Sequence, residues 1–329
     1  LPSNTNFNSA GYNKLMAAIK TDNTLWLWGE NTNGQLGMNS VAIPSTSSPV
    51  QECTGSTWSK VAITATAVAA IKTNGTLWTW GYNAYGQLGL NDAVDRSSPC
   101  QVGTSSNWTQ IASTTTGNYF HFLNTFGEVW TAGRGPFGTN TTFAVSKSSP
   151  VQCIADASFT KVVTNGASTF AIDNTDKLWG WGSNQYGNLG IGSVIQKSSP
   201  IIIGGSNSWY DISTDSGTVF AIRSDNTLWG WGMGQGLTGP IYSSKSSPIQ
   251  IGWSNYSYQT LKGPTAYVTN LATNKNELHQ IGGNDSTIGQ PYISSQQPNF
   301  VPLSKLTEMK KKNNPPIAIF YNENGFMIT

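Results

Sequence analysis

Side chains able to serve as bases, nucleophiles or metal ligands are few in this sequence: two histidines, three cysteines and sixteen carboxylates among 329 residues. A histidine works as a general base or a zinc ligand only with a partner in reach. His121 and His279 stand far apart, and no Cys-x-x-Cys, His-Glu-x-x-His or calcium-loop spacing accompanies them. The carboxylates, among them Asp92, Asp95, Asp211 and Asp215, form no recognisable pair. Cys53, Cys100 and Cys153 are odd in number, which rules out a full disulfide framework, and they read as buried free thiols. Gly232-Met233-Gly234-Gln235-Gly236 resembles a phosphate-cradling loop, but no helix follows to supply the dipole, so it reads as a connection between strands. Five Asn-x-Ser/Thr sequons occur, at Asn74, Asn107, Asn140, Asn255 and Asn284, and with 31 asparagines chance explains most of them. No catalytic, cofactor-binding or metal constellation emerges, and the chain reads as a non-enzyme.

Charged residues make up 10% of the chain, against about 25% in an ordinary globular protein. Gly, Ser, Thr and Asn take their place. Thirteen Trp and twelve Phe argue against disorder, because disordered chains are poor in aromatics. A formal net charge of +2 gives no drive toward nucleic acid or an acidic membrane. The one basic cluster, Lys310-Lys311-Lys312 near Lys305, reads as a solvated loop. No apolar run approaches the roughly 18 residues of a membrane span. A neutral polar exterior of this kind is associated with virion and extracellular proteins. Residue 1 is Leu and not Met, so the chain is expected to be processed or a piece of something longer.

The elements that would position any site are set by an internal repeat. Leu77-Trp78-Thr79-Trp80-Gly81 leads into Tyr82-Asn83-Ala84-Tyr85-Gly86-Gln87-Leu88-Gly89, with Ser97-Ser98-Pro99 beyond it. The Leu position recurs at Leu25, Leu77, Val129, Leu178, Leu228 and Leu278, with a degenerate copy at Phe326, at intervals of 48 to 52 residues. A period of about 50 belongs to propeller blades and solenoid turns.

Within each unit the pattern is that of strands. Trp78 and Trp80 alternate with Leu77 and Thr79 at a period of two. Val68-Ala69-Ala70-Ile71 is a short apolar run, and Thr73-Asn74-Gly75, like Thr21-Asp22-Asn23 and Ser224-Asp225-Asn226, marks a tight hairpin. Trp58, Trp108 and Trp209 each begin a further strand, and Ser-Ser-Pro begins a fourth, where proline need not donate to a ladder. Four-stranded units repeated seven times predict an all-β, seven-bladed propeller occupying 1–329 as one domain. The repeated residues Trp26, Trp28, Gly29, Trp78, Trp80, Gly81, Trp179, Trp181, Gly182, Trp229, Trp231 and Gly232 are read as its framework, with the tryptophans between blades. The last unit stops without its Ser-Ser-Pro strand, which predicts that residues 1–10 close the ring in the same blade as 317–329.

These residues resemble the repeat of the regulator of chromosome condensation family, whose bacterial and viral versions carry Leu-Trp-x-Trp-Gly-x-Asn-x-x-Gly-Gln-Leu-Gly followed by Ser-Ser-Pro. Leu25 to Gly37 and Leu77 to Gly89 match it, and Leu178 to Gly190 carries Asn188 in place of Gln. The resemblance implies a propeller. Nuclear members are exchange factors for a small GTPase and need an inserted wedge and a charged face, for which the even spacing here leaves little room. The plant ultraviolet-B photoreceptor of the family pairs Trp clusters with Arg, whereas Arg96, Arg134 and Arg223 lie beside no Trp in the sequence. The bacterial β-lactamase-inhibitor members, which bind a protein with one propeller face, and phage members that are virion components are the closer analogies. The function expected is a non-enzymatic interaction or structural module of a virion or secreted surface, with a protein partner and no cofactor. The alternative is a glycan- or receptor-binding propeller using Tyr82, Tyr85, Tyr186, Trp253 and Tyr256; an exchange factor-like regulator is a third reading. The repeat decays near Val129 and from Leu228 onward, which makes Arg134, Pro136, Phe137, Trp253 and Tyr256 the candidate partner surface.

Overall fold

The computed structural model describes residues 15–113, 117–135, 138, 146–154, 157–205, 208–215, 217–233, 244–251, 256–262, 265–271, 273–280, 301–302, 319–322 and 325–328. Among them there is no helix, and all regular structure is antiparallel sheet. Leu15–Ile19, Thr24–Glu30 and Ser45–Ser56 form the first sheet. The second contains Trp58–Ile63, Ala67–Lys72, Leu77–Gly81 and Arg96–Gln101 in chain order. The third to sixth repeat this four-stranded meander, starting at Trp108, Phe159, Trp209 and Tyr256, and a seventh keeps the hairpin of Ile319–Asn322 with Gly325–Ile328. The chain divides into two compact units, 1–169 with 317–329, and 170–316. Pairing of residues 1–10 with the C-terminal strands falls on residues outside the described set.

The strand Ala67–Lys72 shows why these sheets stack. Successive side chains point to opposite faces. Val68 and Ala70 enter one core with Leu25, Leu27, Trp58 and Trp80, while Ala67, Ala69 and Ile71 enter another with Leu77, Phe120 and Phe122. A strand buried on both faces reads as the continuous apolar run seen in the sequence. In the second unit, Phe220, Ile222 and Leu228 pack in the same manner with Tyr258 and Leu261.

Each Trp strand ends in a bulge. The ladder shifts register between Thr79 and Gly81, Thr131 and Gly133, and Gly230 and Gly232. Gly81 has φ +99°, and a Cβ there would lie 2.5 Å from the Thr66 carbonyl oxygen. Only glycine tolerates both conditions.

The hairpins carry a polar relay. Asp22, Asn74 and Asp225 each accept through Oδ1 from the amide and hydroxyl of the threonine two residues on. Each threonine oxygen then accepts from an indole: Trp26 to Thr24, Trp78 to Thr76, Trp229 to Thr227, at 2.8–2.9 Å. The first tryptophan of each pair is thereby held half-buried against its own hairpin, while Trp80, Trp181 and Trp231 are wholly buried.

Candidate functional site

The loop after each Trp strand holds the residues with most to do. Asn31, Asn83 and Asn184 are buried, and each clamps its loop from within. The Asn83 amide donates to the carbonyls of Asp92 and Val94 at 3.1 Å, and its Oδ1 accepts from Leu88 N at 2.9 Å. Asn31 does the same with Ser40, Ile43 and Leu36, and Asn184 with Ser193, Ile195 and Leu189. A side-chain amide with two donors and an acceptor satisfies three main-chain groups that the loop's irregular path strands.

The same loops grip the following sheet. Asn39 N donates to Ser97 O, Asn91 N to Ser148 O and Gly192 N to Ser246 O, at 2.7–2.9 Å. The hydroxyls of Ser98 and Ser149 donate to the side-chain oxygens of Asn39 and Asn91. Gly34, Gly86 and Gly187 sit so near Ser97, Ser148 and Ser246 that an added Cβ would lie 2.4–2.6 Å from the serine Cα. The Ser-Ser-Pro motif is therefore the receptor for the preceding loop. The Trp80 indole completes the joint by donating to Gln35 O, as Trp231 does to Asn188 O.

Cations stack on tryptophan rings that are half-buried at Trp26, Trp78 and Trp229 and wholly buried at Trp209. Lys20 lies 3.8 Å from the Trp26 ring centroid, Lys72 4.2 Å from Trp78, and the Arg223 guanidinium carbon 3.4 Å from Trp229 and 4.9 Å from Trp209. Arg223 is separated from a tryptophan along the chain and packed on two in space, which corrects the sequence-based separation of arginine from tryptophan. Burial lowers the Arg223 pKa, against the opposing pull of Asp225.

Glu52 is a buried carboxylate that accepts from the Trp58 indole at 2.7 Å. The corresponding place after Ser-Ser-Pro holds Val102, Cys153, Ile203 and Ile251. With an aliphatic there, the indole nitrogens of Trp108 and Trp209 have no partner among the described residues.

His121 lies with Cys153 in a buried pocket. Its Nε2 meets Thr169 Oγ1 at 2.8 Å, its Nδ1 stands 3.9 Å from Cys153 Sγ, and Tyr119 bonds Thr164 Oγ1 at 2.6 Å. Burial lowers the His121 pKa to about 3 and pushes the Cys153 thiol well above its ordinary value, so the two face each other neutral. A nucleophilic pair needs a thiolate and a proton acceptor, and this environment disfavours both charges. The thiols also differ from the sequence expectation. Cys153 is buried, but Cys53 is exposed and Cys100 half-buried, because the outer strand turns these positions away from the core.

Among the proposed surface residues, Arg134 is exposed, with its guanidinium 5.5 Å from the Tyr85 centroid, and Tyr82 meets Tyr85 edge-on at 6.2 Å. Tyr256 opens the strand Tyr256–Lys262 opposite Asn270, its side chain outside the described set. Pro136, Phe137 and Trp253 lie outside the described residues. Sequence reasoning missed the apolar residues at the clamps: Ile43, Val94 and Ile195, whose carbonyls the buried asparagines hold, are 54%, 59% and 64% exposed. Their signal was a β-branched residue a few positions before each Ser-Ser-Pro. Among the described residues no group of three or more His, Cys, Asp or Glu converges as a metal site.

The repeat pattern of the regulator of chromosome condensation (RCC1) family matches residues 74–119 and 175–222, and a second RCC1 repeat pattern matches 58–87. The fold is similar to that of yeast RCC1 (Prp20) bound to Kap60, with a TM-score of 0.69 at 16% identity over 88% of this chain and 73% of that one. The chain is an RCC1-like repeat protein. A second structure, Prp20p from Saccharomyces cerevisiae, known for its binding properties to Gsp1p and histones, gives a TM-score of 0.68 at 16% identity over 89% of this chain and 75% of that one. These likenesses show an RCC1-type β-propeller fold. In sequence, this RCC1-like chain is 26% identical over 182 residues to the ultraviolet-B receptor UVR8 of Arabidopsis thaliana, covering 54% of this chain and 41% of the receptor. It is 31% identical over 123 residues to the human probable E3 ubiquitin-protein ligase HERC3, covering 37% of this chain and 12% of the ligase. The RCC1-like chain thus spans less than half the length of these relatives.

Proposed function

We propose that this RCC1-like chain is a non-enzymatic protein-binding propeller, one domain over 1–329, displayed on a virion or secreted surface. The recurrent exposure of Ile43, Val94 and Ile195 on clamped loops carries the reading. An apolar side chain held out on a fixed main chain loses little entropy when a partner covers it. In the first unit the loops bearing Ile43 and Val94 adjoin, Asn33 donating to Asp95 at 3.3 Å, and Tyr82, Tyr85 and Arg134 share the second loop's surroundings. The sparse charge supports a virion or extracellular setting, and the RCC1-like relatives support protein binding.

A photo-cross-linker at Val94 on purified particles or secreted material should capture a capsid, tail or surface protein, and the same group at Phe126, 70% exposed on a hairpin, should not. Recovery of the chain only as a free cellular protein would remove the surface setting.

The Tyr82–Tyr85 pair favours a second reading, glycan binding, since sugars stack on aromatic faces. Arg134 already occupies one side of Tyr85. A glycan array without binding above background would remove this reading.

A further inference from the structure

Four Asn-Gly steps occur in the chain, at Asn33, Asn74, Asn165 and Asn324, the last outside the described residues. In such a step the glycine nitrogen lies next to the asparagine side-chain carbonyl carbon with no Cβ to shield it. Whether the two react depends on what holds each of them, and the fold treats the three described steps differently.

At Asn33 and Asn74 the would-be nucleophile is tied down. Gly34 N donates to Asn31 O at 3.0 Å and Gly75 N to Lys72 O at 2.9 Å, which fixes each peptide plane within a turn. At Asn165 the nucleophile is untied. The Gly166 amide has no acceptor among the described residues, and Gly166 has φ +93°. Asn165 Oδ1 accepts from Ser168 N at 2.9 Å and from Ala167 N at 3.3 Å, as Asn74 Oδ1 accepts from the amide and hydroxyl of Thr76, so Asn165 differs from Asn74 in its untied nucleophile. Two main-chain donors on a carbonyl oxygen are what stabilises the oxyanion formed when a nucleophile adds to its carbon.

We propose that Asn165 is a self-modifying site: the Gly166 nitrogen attacks the Asn165 side-chain carbon, ammonia leaves, and the resulting succinimide is opened by water to aspartate or isoaspartate. The new bond joins Gly166 N to Asn165 Cγ, and the bond broken is Cγ–Nδ2. The amide proton leaves with the ammonia, and water is the one co-reactant. Asn165 and Gly166 are half-exposed, so water reaches them.

The equivalent turn of the second sheet is built without this chemistry. Thr64 stands where Asn165 does, its main-chain N donating to Ala67 O at 2.8 Å as Asn165 N does to Ser168 O at 3.1 Å. Its hydroxyl oxygen accepts from Ala67 N and Thr66 N. A hydroxyl caps the turn equally well and offers no carbonyl carbon to attack. Isoaspartate at 165 would lengthen the main chain by a methylene inside this turn, directly before Ser168, whose carbonyl also accepts from Thr164 beside Tyr119.

The test is ageing of the folded full chain in mildly alkaline buffer, followed by peptide mapping by mass spectrometry and isoaspartyl methyltransferase labelling. Asn165 should convert about five- to tenfold faster than Asn33 or Asn74, the rate difference that one retained hydrogen bond on the nucleophile would produce. In strong denaturant the three should converge, because the differences come from the fold. Asn165→Thr, which copies the second sheet's turn, should fold and lose the label from that peptide. Equal rates in the folded chain, earlier conversion of Asn33 or Asn74, or labelling unchanged in the Asn165→Thr chain would overturn the proposal.

Discussion

The indole N–H of Trp80 donates to the main-chain carbonyl of Gln35 at 2.9 Å, reaching 45 positions back into the loop of the preceding sheet. That loop also holds Gly34, pressed on Ser97, and Asn39, bonded to Ser97 and Ser98. The joint between the first two sheets is thus made by one loop acting on two strands of its neighbour.

Gly86 makes the corresponding joint onto the third sheet, with φ +71° and Ser148 Cα 2.5 Å from an added Cβ. Gly86→Ala should cost about 3 kcal/mol, combining left-handed strain with a main-chain clash. Gly103→Ala has φ +60° and nothing within 4 Å, so it should cost only the strain, about 1 kcal/mol. Urea denaturation of the two variants measures the difference.

Asn83→Ala strands the carbonyls of Asp92 and Val94 and the amide of Leu88. We expect a loss of about 3 kcal/mol, given roughly 1–3 kcal/mol for each buried group left unpaired. Asn83→Asp should be worse at neutral pH, where a carboxylate would face two carbonyls, and should partly recover in acid as the carboxyl gains a donor. Equal stability of the aspartate variant at both pH values would refute the clamp.

His121 is buried and neutral, with its folded pKa lowered from 6.5 to about 3 by burial. The unfolded chain takes up a proton below about pH 6.5 and the folded chain does not, so stability is full above that pH and is lost as pH falls toward 3. The slope should reach about 1.4 kcal/mol per pH unit more than in His121→Asn. Paired pH–stability profiles, with the imidazole followed by NMR, provide the measurement.

Arg223→Gln removes the guanidinium from Trp229 and Trp209 and should cost about 1–2 kcal/mol, with a change in tryptophan emission. Arg223→Lys should recover only part of this, because an ammonium cannot stack as a plane. Full recovery by lysine would show that charge alone matters there.

The strands, hairpins and bulges were legible because each has a local cause. Trp78 and Trp80 alternate, Asn74-Gly75 turns the chain, and Gly81 admits the bulge. The joints between sheets were not. A repeat shows which residues recur but not which copy each one touches, so Gly86 and Ser148 looked like parts of separate motifs. Arg223 and Trp229, and His121 and Cys153, meet through strand pairing and packing that residue spacing does not encode. The exposure of Ile43, Val94 and Ile195 ran against the expectation that β-branched residues are buried, and the buried asparagine beneath each loop accounts for it.

The clamp reads main-chain atoms, with one added bond from the Asn83 amide to the Asp92 carboxylate at 3.0 Å. Asn31, Asn83 and Asn184 recognise carbonyls and an amide that any residue would present, whatever its side chain. Substitution at 43, 94 or 195 therefore leaves the loop's hydrogen bonds intact, so these positions can drift, diversify or be redesigned at little cost to folding. Each such loop is a socket of fixed shape whose outward letter is open to selection by whatever binds it.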